Sequence, residues 1–130
     1  MTNLDIIKNL YDAFAKGDVS GVLSEMHENI VWNEAENFPY ADGNPYVGPQ
    51  AVLEGVFARC ISEWEGFAAN MDTLYDAGKN IIATGRYAGK NNQTGKNMDP
   101  QAVHLWTLED GKIIQFQQFI DTLNVSKAMS

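Results

Sequence analysis

The sequence predicts an α+β fold in which three helices pack on one face of an antiparallel sheet. Two observations support this prediction. Apolar residues recur at helical spacing near the start of the chain and again after Pro49, and strand-like runs separated by turns fill the chain from residue 67 onward. The order is three helices around one short strand, followed by four long strands. Because 130 residues are typical of one domain, we expect a single domain over residues 1–130.

The first helix is predicted over residues 3 to 16. Thr2 and Asp5 suit a capping box at its start, and Gly17 suits its end. Asp18 can then cap a second, shorter helix. Apolar residues at helical spacing support both helices, namely Leu4, Ile7, Leu10, Tyr11 and Phe14 in the first and Val19, Val22, Leu23 and Met26 in the second.

A short strand is predicted at residues 29–35, because β-branched and aromatic residues alternate there with polar ones. The alternation places Ile30, Trp32 and Glu34 on one side. The loop at 36–48 that follows has turn chemistry throughout, yet it carries three aromatic residues, Phe38, Tyr40 and Tyr46. Two interpretations stay open: the rings cover a cavity as a lid, or they fix the loop to the core.

The third helix is predicted to begin at Pro49, since proline favours the first helical position. Cys60 lies beside its apolar stripe and is expected to be a small buried residue. It is the only cysteine, so no intrachain disulfide is possible, and with two histidines the chain lacks the ligands of a conventional zinc site. The stripe consists of Val52, Val56, Phe57, Ile61 and Trp64.

A hairpin is predicted around Asp110-Gly111, which lies between two strand-like runs. A two-residue turn fixes the register, so Leu108 should face Ile113 and His104 should face Gln117. One hairpin face is then mostly apolar, and the other consists of His104, Trp106, Gln115, Gln117, Phe119 and Asp121. This mixture of aromatic and titratable groups suits the wall of a small-molecule pocket. A half-wet sheet face or a subunit interface is the alternative.

The charge of the chain and its lack of long apolar segments argue against nucleic acid and membranes as partners. A net charge of −8, a pI near 4.5 and nine scattered basic residues argue against binding to nucleic acid. The first residues lack the basic region and apolar run of a signal peptide, and no stretch suits a membrane span. We therefore expect a cytoplasmic protein without a membrane partner.

Four segments, in this order and spacing, make the chain resemble the SnoaL-like branch of the NTF2-like superfamily over nearly its whole length. They are Leu10-Tyr11-Asp12-Ala13-Phe14-Ala15-Lys16-Gly17-Asp18, Val31-Trp32, Tyr46-Val47-Gly48-Pro49-Gln50-Ala51-Val52 and Phe119-Ile120-Asp121. The resemblance implies the cone-shaped fold of ketosteroid isomerase, polyketide cyclases and scytalone dehydratase. It says little about function, because this superfamily contains several enzyme classes and non-catalytic modules.

The resemblance also implies a site that needs no cofactor. The proton-shuttling carboxylate of ketosteroid isomerases falls at Glu34, but their oxyanion-binding tyrosine falls at Leu10, so true steroid isomerase activity is not expected. The working histidine and aspartate of SnoaL-like cyclases fall at His104 and Asp121. In such sites a carboxylate removes a proton next to a carbonyl while a donor stabilises the enolate oxygen. The expected ligand contacts are Trp32, Tyr40, Tyr46, Phe57, Trp106, Gln117 and Phe119.

Two functional hypotheses follow. The first is an isomerase, cyclase or dehydratase with Glu34 or Asp121 as base and His104 as donor or acid, although the predicted register sets His104 and Asp121 roughly 13 Å apart. The second is a non-catalytic domain that binds a small apolar ligand or mainly dimerises. In either case the resemblance implies a homodimer, through the outer sheet face that carries Leu105, Ile114 and Phe116.

Overall fold

The computed structural model describes residues 1–130, and the N-terminal helices follow their predicted caps. Helix α1 spans Asn3–Ala15, and the Thr2 hydroxyl accepts from the Asp5 N–H while the Asp5 carboxylate accepts from the Thr2 N–H. Gly17 follows the end of α1 and has a φ of 73°, a conformation that would be strained for a residue with a Cβ. Asp18 caps α2, Val19–Leu23. The capping predictions are therefore confirmed.

The first strand is longer than predicted and begins earlier. Strand β1 spans Met26–Asn33, so Met26 belongs to the strand and not to the second helix. A 3₁₀ helix, Pro39–Gly43, and a short strand β2, Tyr46–Val47, then occupy the aromatic loop. Glu34 lies one residue beyond β1 and keeps the inward direction of Ile30 and Trp32, because the alternation of the strand continues through it.

The third helical segment is interrupted by a π turn. Helix α3, Pro49–Val52, leads into the π turn Leu53–Phe57 and then into α4, Ala58–Glu63. The predicted apolar stripe is wrong at its end, because Ile61 is exposed and Trp64 begins the next strand. Val56 and Phe57, inside the π turn, face the core.

The remaining chain forms the long strands of the sheet, as predicted. They are β3 Trp64–Ala77, β4 Asn80–Asn91, a short β5 Asn97–Met98, β6 Gln101–Glu109 and β7 Lys112–Ile120. The strand order is β2-β1-β7-β6-β4-β3, with β5 beside β4. All pairs are antiparallel except β1 with β7, which are parallel. A final helix α5, Thr122–Ala128, was not predicted.

The hairpin register differs from the prediction by one residue. Leu108 pairs with Ile113, as expected, but Thr107 then pairs with Gln115, so that Ile114 is an extra residue in a bulge. The predicted pairing of His104 with Gln117 is wrong, since His104 pairs with Gln118. Beyond the bulge every side chain of β7 lies on the face opposite to the expected one.

The inner face of the curved sheet packs against α1 and the segment from α3 to α4. On the central strands this face carries His104 and Trp106 from β6 with Phe116 and Gln118 from β7, all of them buried. None of the helices combines the length and the apolarity that a membrane crossing requires.

Candidate active site

A small cavity lies between the helices and the inner face of the sheet. Its volume is about 40 Å³, and thirteen of its sixteen lining residues are hydrophobic. The three polar ones are Glu34, His104 and Gln118. The apolar wall consists of Leu10, Tyr11, Phe14, Trp32, Phe38, Val56, Phe57, Cys60, Phe67, Ala69, Tyr87, Trp106 and Phe116. An apolar enclosure with few polar groups is the usual form of a small-molecule site.

Glu34 is a carboxylic acid with little to stabilise its charge. Its side chain is 3% exposed, and the indole N–H of Trp32, at 3.3 Å, is the one hydrogen-bond donor to its carboxyl oxygens. The backbone of Glu34, in contrast, is hydrogen-bonded by the Asn44 side chain. This side chain accepts from the Glu34 N–H at 2.9 Å and donates to the Glu34 carbonyl at 2.8 Å. Burial raises the pKa of Glu34 from 4.5 to about 8.

His104 lies between two tyrosine hydroxyls. Its Nδ1 is 2.6 Å from the Tyr11 hydroxyl and its Nε2 is 2.5 Å from the Tyr87 hydroxyl. Burial lowers the pKa of His104 from 6.5 to about 3. The imidazole is therefore neutral at pH 7, and one of its nitrogens donates while the other accepts.

Two further side chains complete this network. The indole N–H of Trp106 donates to the Tyr11 hydroxyl at 2.9 Å. Gln118 donates to the Tyr87 hydroxyl at 3.0 Å and accepts from the Ala35 N–H at 3.0 Å. The polar groups on the sheet side of the cavity are thus mutually hydrogen-bonded, as buried polar groups generally are.

Five of the predicted site residues line this cavity. They are Glu34 and His104, with Trp32, Phe57 and Trp106 as apolar wall. The rings are in contact: Trp32 meets Trp106 at 5.6 Å between centroids and Phe57 at 5.4 Å. Alternation along β1 and β6 is enough to place these residues on one side, except for Phe57, which lies in the π turn.

The C-terminal part of the predicted site lies elsewhere. Gln117 faces outward and Phe119 is 53% exposed, because the bulge at Ile114 reverses the direction of both side chains. Asp121 is exposed and caps α5 by accepting from the Asn124 N–H at 3.3 Å. The structure therefore does not bring Asp121 to His104.

The aromatic loop is fixed to the core. Tyr40 is buried, and its hydroxyl donates to Glu63 at 3.0 Å and accepts from the Trp64 indole at 3.0 Å. Tyr46 is buried as well and donates to the Tyr40 carbonyl at 2.7 Å. Neither ring lines the cavity, and Phe38 alone of the three does. Of the two interpretations of the aromatic loop, the one in which the rings fix the loop to the core is therefore correct for Tyr40 and Tyr46.

The sequence assigned no role in the site to Tyr11 or Gln118, and it could not decide whether Arg86 or Tyr87 contributes a donor. Tyr11 follows Leu10 and is rotated about 100° around the helix from it, which turns its hydroxyl toward His104. On β4, Arg86 and Tyr87 alternate, and only the pairing of Tyr87 with Ala69 and of Arg86 with Gln101 shows which one points inward. Gln118 was assigned to the apolar outer face.

The arrangement brings together groups that can exchange a proton with a ligand. It offers one acid of raised pKa, two phenolic hydroxyls and a neutral imidazole around one apolar space. No group of three or more His, Cys, Asp or Glu side chains lies close enough together to hold a metal ion.

The sequence and the fold of the chain are similar to those of known proteins. The family model of the SnoaL-like domain matches residues 7–116. An NTF2-like protein from Burkholderia thailandensis is 35% identical, with 100% of this chain and 98% of that chain covered and a TM-score of 0.96. A search of curated proteins finds no match.

Two more distant crystal structures share the fold. A putative SnoaL-like polyketide cyclase from Jannaschia is 19% identical, with 98% of this chain and 91% of that chain covered and a TM-score of 0.84. TerC, co-crystallized with polyporic acid, is 23% identical, with coverages of 98% and 97% and a TM-score of 0.86.

Proposed function

Because the chain belongs to the SnoaL-like family of NTF2-like proteins, we propose that it is a small cofactor-independent enzyme of the isomerase, cyclase or dehydratase type. Its substrate is a small hydrophobic molecule with a carbonyl group. One observation carries the proposal: the buried Glu34 lines the same apolar cavity as Tyr11 and Tyr87, whose hydroxyls are hydrogen-bonded to the two ring nitrogens of His104. The neighbours that are called polyketide cyclases or hold polyporic acid support this class of ligand.

Glu34 is the proposed base. Its raised pKa of about 8 lies near neutral pH, where a carboxylate can both take up and return a proton. In the reaction Glu34 removes a proton from the carbon next to the carbonyl, the carbonyl oxygen becomes an enolate, and the same proton returns to another carbon.

The donor to the enolate oxygen belongs to the network around His104. Both ring nitrogens of His104 are engaged by tyrosines, so His104 has no free atom for a ligand. Tyr11 and Tyr87 line the cavity, and their hydroxyls are the groups of this network that can donate. His104 therefore acts through the tyrosines, in place of the direct donor role that the sequence suggested.

The size of the cavity limits the substrate. About 40 Å³ is far below the several hundred Å³ that enclose a drug-sized ligand. A steroid does not fit into this volume without a large rearrangement.

A non-catalytic binding or dimerisation module is the alternative, and the tight filling of the cone by aromatic rings favours it. Trp32 and Phe116 stack at 3.8 Å between centroids, and Trp106 lies 4.6 Å from Phe116. A domain that only binds would hold its ligand without exchanging any carbon-bound proton.

Proton exchange at carbon separates the two functions. Small cyclic ketones are incubated with the protein in D₂O, and deuterium uptake next to the carbonyl is followed by NMR. We expect uptake with the wild type, rising with pH to about 8, and its loss in Glu34→Gln. The exposed Glu65→Gln is the matched control. A ketone that binds, as shown by ligand line broadening, without Glu34-dependent uptake would favour the binding module.

We further propose a homodimer through the outer sheet face. Leu105 lies there in register with Ile82 and Tyr75, and the three form an apolar row. We expect Leu105→Asp to give a monomer in sedimentation experiments, with circular dichroism confirming the fold. An unchanged dimer would place the interface elsewhere. Phe116, which the sequence placed on this outer face, is 1% exposed and belongs to the core.

A further inference from the structure

Gln118 connects the corner after β1 to the network around His104. Its side chain is 1% exposed, and its oxygen accepts from the backbone N–H of Ala35. A backbone N–H can only donate, so the amide oxygen must face Ala35. The NH₂ group of Gln118 must then face the Tyr87 oxygen, which accepts from it at 3.0 Å.

The direction of the next hydrogen bond follows from this orientation. The Tyr87 hydroxyl is buried and has two polar neighbours, the Gln118 nitrogen and His104 Nε2. The amide nitrogen cannot accept, so the single acceptor within reach of the Tyr87 O–H is His104 Nε2, at 2.5 Å. A buried hydroxyl without an acceptor is costly, and Tyr87 therefore donates to His104.

The last hydrogen bond follows by counting protons. A neutral imidazole that accepts at Nε2 carries its proton on Nδ1, so His104 donates to the Tyr11 oxygen at 2.6 Å. The Trp106 indole donates to the same oxygen at 2.9 Å. Tyr11 thus accepts twice, and its own O–H has no protein acceptor. Tyr11 lines both the cavity and an open groove of about 720 Å³.

We infer that Gln118 is a positioning residue: it fixes the direction of the hydrogen bonds through Tyr87 and His104 and so leaves the Tyr11 O–H as the one hydroxyl free to donate to a ligand oxygen. The inference rests on the proposed function and deepens it. It selects Tyr11 over Tyr87 as the donor to the enolate, and it gives His104 a role that needs no contact with the ligand.

The first test reads the tautomer of His104 in the wild-type protein without any ligand. The chain has only two histidines, so ¹⁵N NMR of labelled protein at pH 7 gives two imidazole patterns, and His27→Gln assigns them. We expect the His104 proton on Nδ1. A proton on Nε2, or on both nitrogens, would overturn the inference, because Tyr11 would then donate to Nδ1 or Tyr87 would be a second free hydroxyl.

The second test compares two matched variants. The short hydrogen bond from Tyr87 to His104 should give a hydroxyl proton that exchanges slowly and resonates far downfield. This signal should vanish in Tyr87→Phe and persist in Tyr11→Phe. The opposite result reverses the direction of the network and refutes the selection of Tyr11.

The role of Gln118 itself is tested by Gln118→Met. Without the amide both tautomers of His104 become accessible, so its two ¹⁵N shifts should move toward each other, while Gln117→Met on the outer face should leave them in place. Unchanged shifts in Gln118→Met would refute the role of Gln118. None of these readouts needs turnover. The proposed function would be refuted if Glu34→Gln left deuterium uptake unchanged, and the hydrogen-bond directions inferred here could still be confirmed in that case.

Discussion

Replacing Glu34 by glutamine should change how the stability of the protein depends on pH. The substitution keeps the size of the side chain and removes its ionisation. In the folded protein burial raises the pKa of Glu34 from 4.5 to about 8, so the folded state binds a proton that the unfolded state has released throughout that interval. The stabilising effect of the protonated form is complete below pH 4.5 and is lost as the pH rises through 8.

The magnitude follows from linkage. Each pH unit corresponds to about 1.4 kcal/mol, so the interval from 4.5 to about 8 amounts to roughly 5 kcal/mol. His104 acts with the opposite sign: burial lowers its pKa from 6.5 to about 3, so its contribution is present above pH 6.5 and is lost as the pH falls toward 3. The two slopes cancel between pH 4.5 and 6.5, and above 6.5 only the loss due to Glu34 remains.

The assay is urea unfolding at intervals of half a pH unit from 4 to 9. The free energy of unfolding of Glu34→Gln minus that of the wild type should rise by about 1.4 kcal/mol per pH unit between 4.5 and 8 and be flat outside this range. Glu65→Gln, at an exposed position, should show no such slope. If the free energies of unfolding of Glu34→Gln and the wild type changed in parallel with pH, Glu34 would not be a buried acid.

Two other substitutions test the segment around Glu34. Asn44→Ala removes both side-chain hydrogen bonds to the Glu34 backbone, so the carboxyl can turn toward water and its pKa, read by ¹³C NMR, should fall; Asn124→Ala, which removes a similar pair of hydrogen bonds to Asp99, should leave that pKa in place. Gly55→Ala should cost about 1–3 kcal/mol in urea unfolding, because a Cβ there would overlap the ring of Tyr46; an unchanged midpoint would contradict this packing.

The sequence predicted the elements well because each one carries a local signal. The capping box at Thr2, the glycine after α1 and the Asp110-Gly111 turn all act within a few residues. The pair of Leu108 with Ile113 next to the turn was also predicted. The bulge at Ile114 was not, since nothing in the adjacent residues marks an extra residue on one strand.

The site could be predicted only where strand alternation was uninterrupted. Glu34 follows the alternation of β1, and His104 follows that of β6, and both line the cavity. Gln117 and Phe119 lie beyond the bulge, so their assignment to the inner face was wrong. Asp121 was assigned to the site because it follows the last strand. The chain enters α5 at this point, and the Asp121 carboxylate caps that helix.

The neutral state of His104 matters for the basicity of Glu34. A protonated imidazole on the same cavity would attract the carboxylate and lower its pKa. Because both nitrogens are bonded to hydroxyls that are themselves uncharged, the network leaves the Tyr11 O–H as a donor without adding a positive charge. With a pKa of about 8, roughly one Glu34 in ten is ionised at pH 7, and that fraction is a stronger base than an exposed glutamate. The hydroxyl network therefore allows the proposed site to combine a basic carboxylate with a single hydroxyl donor, Tyr11, in one apolar space.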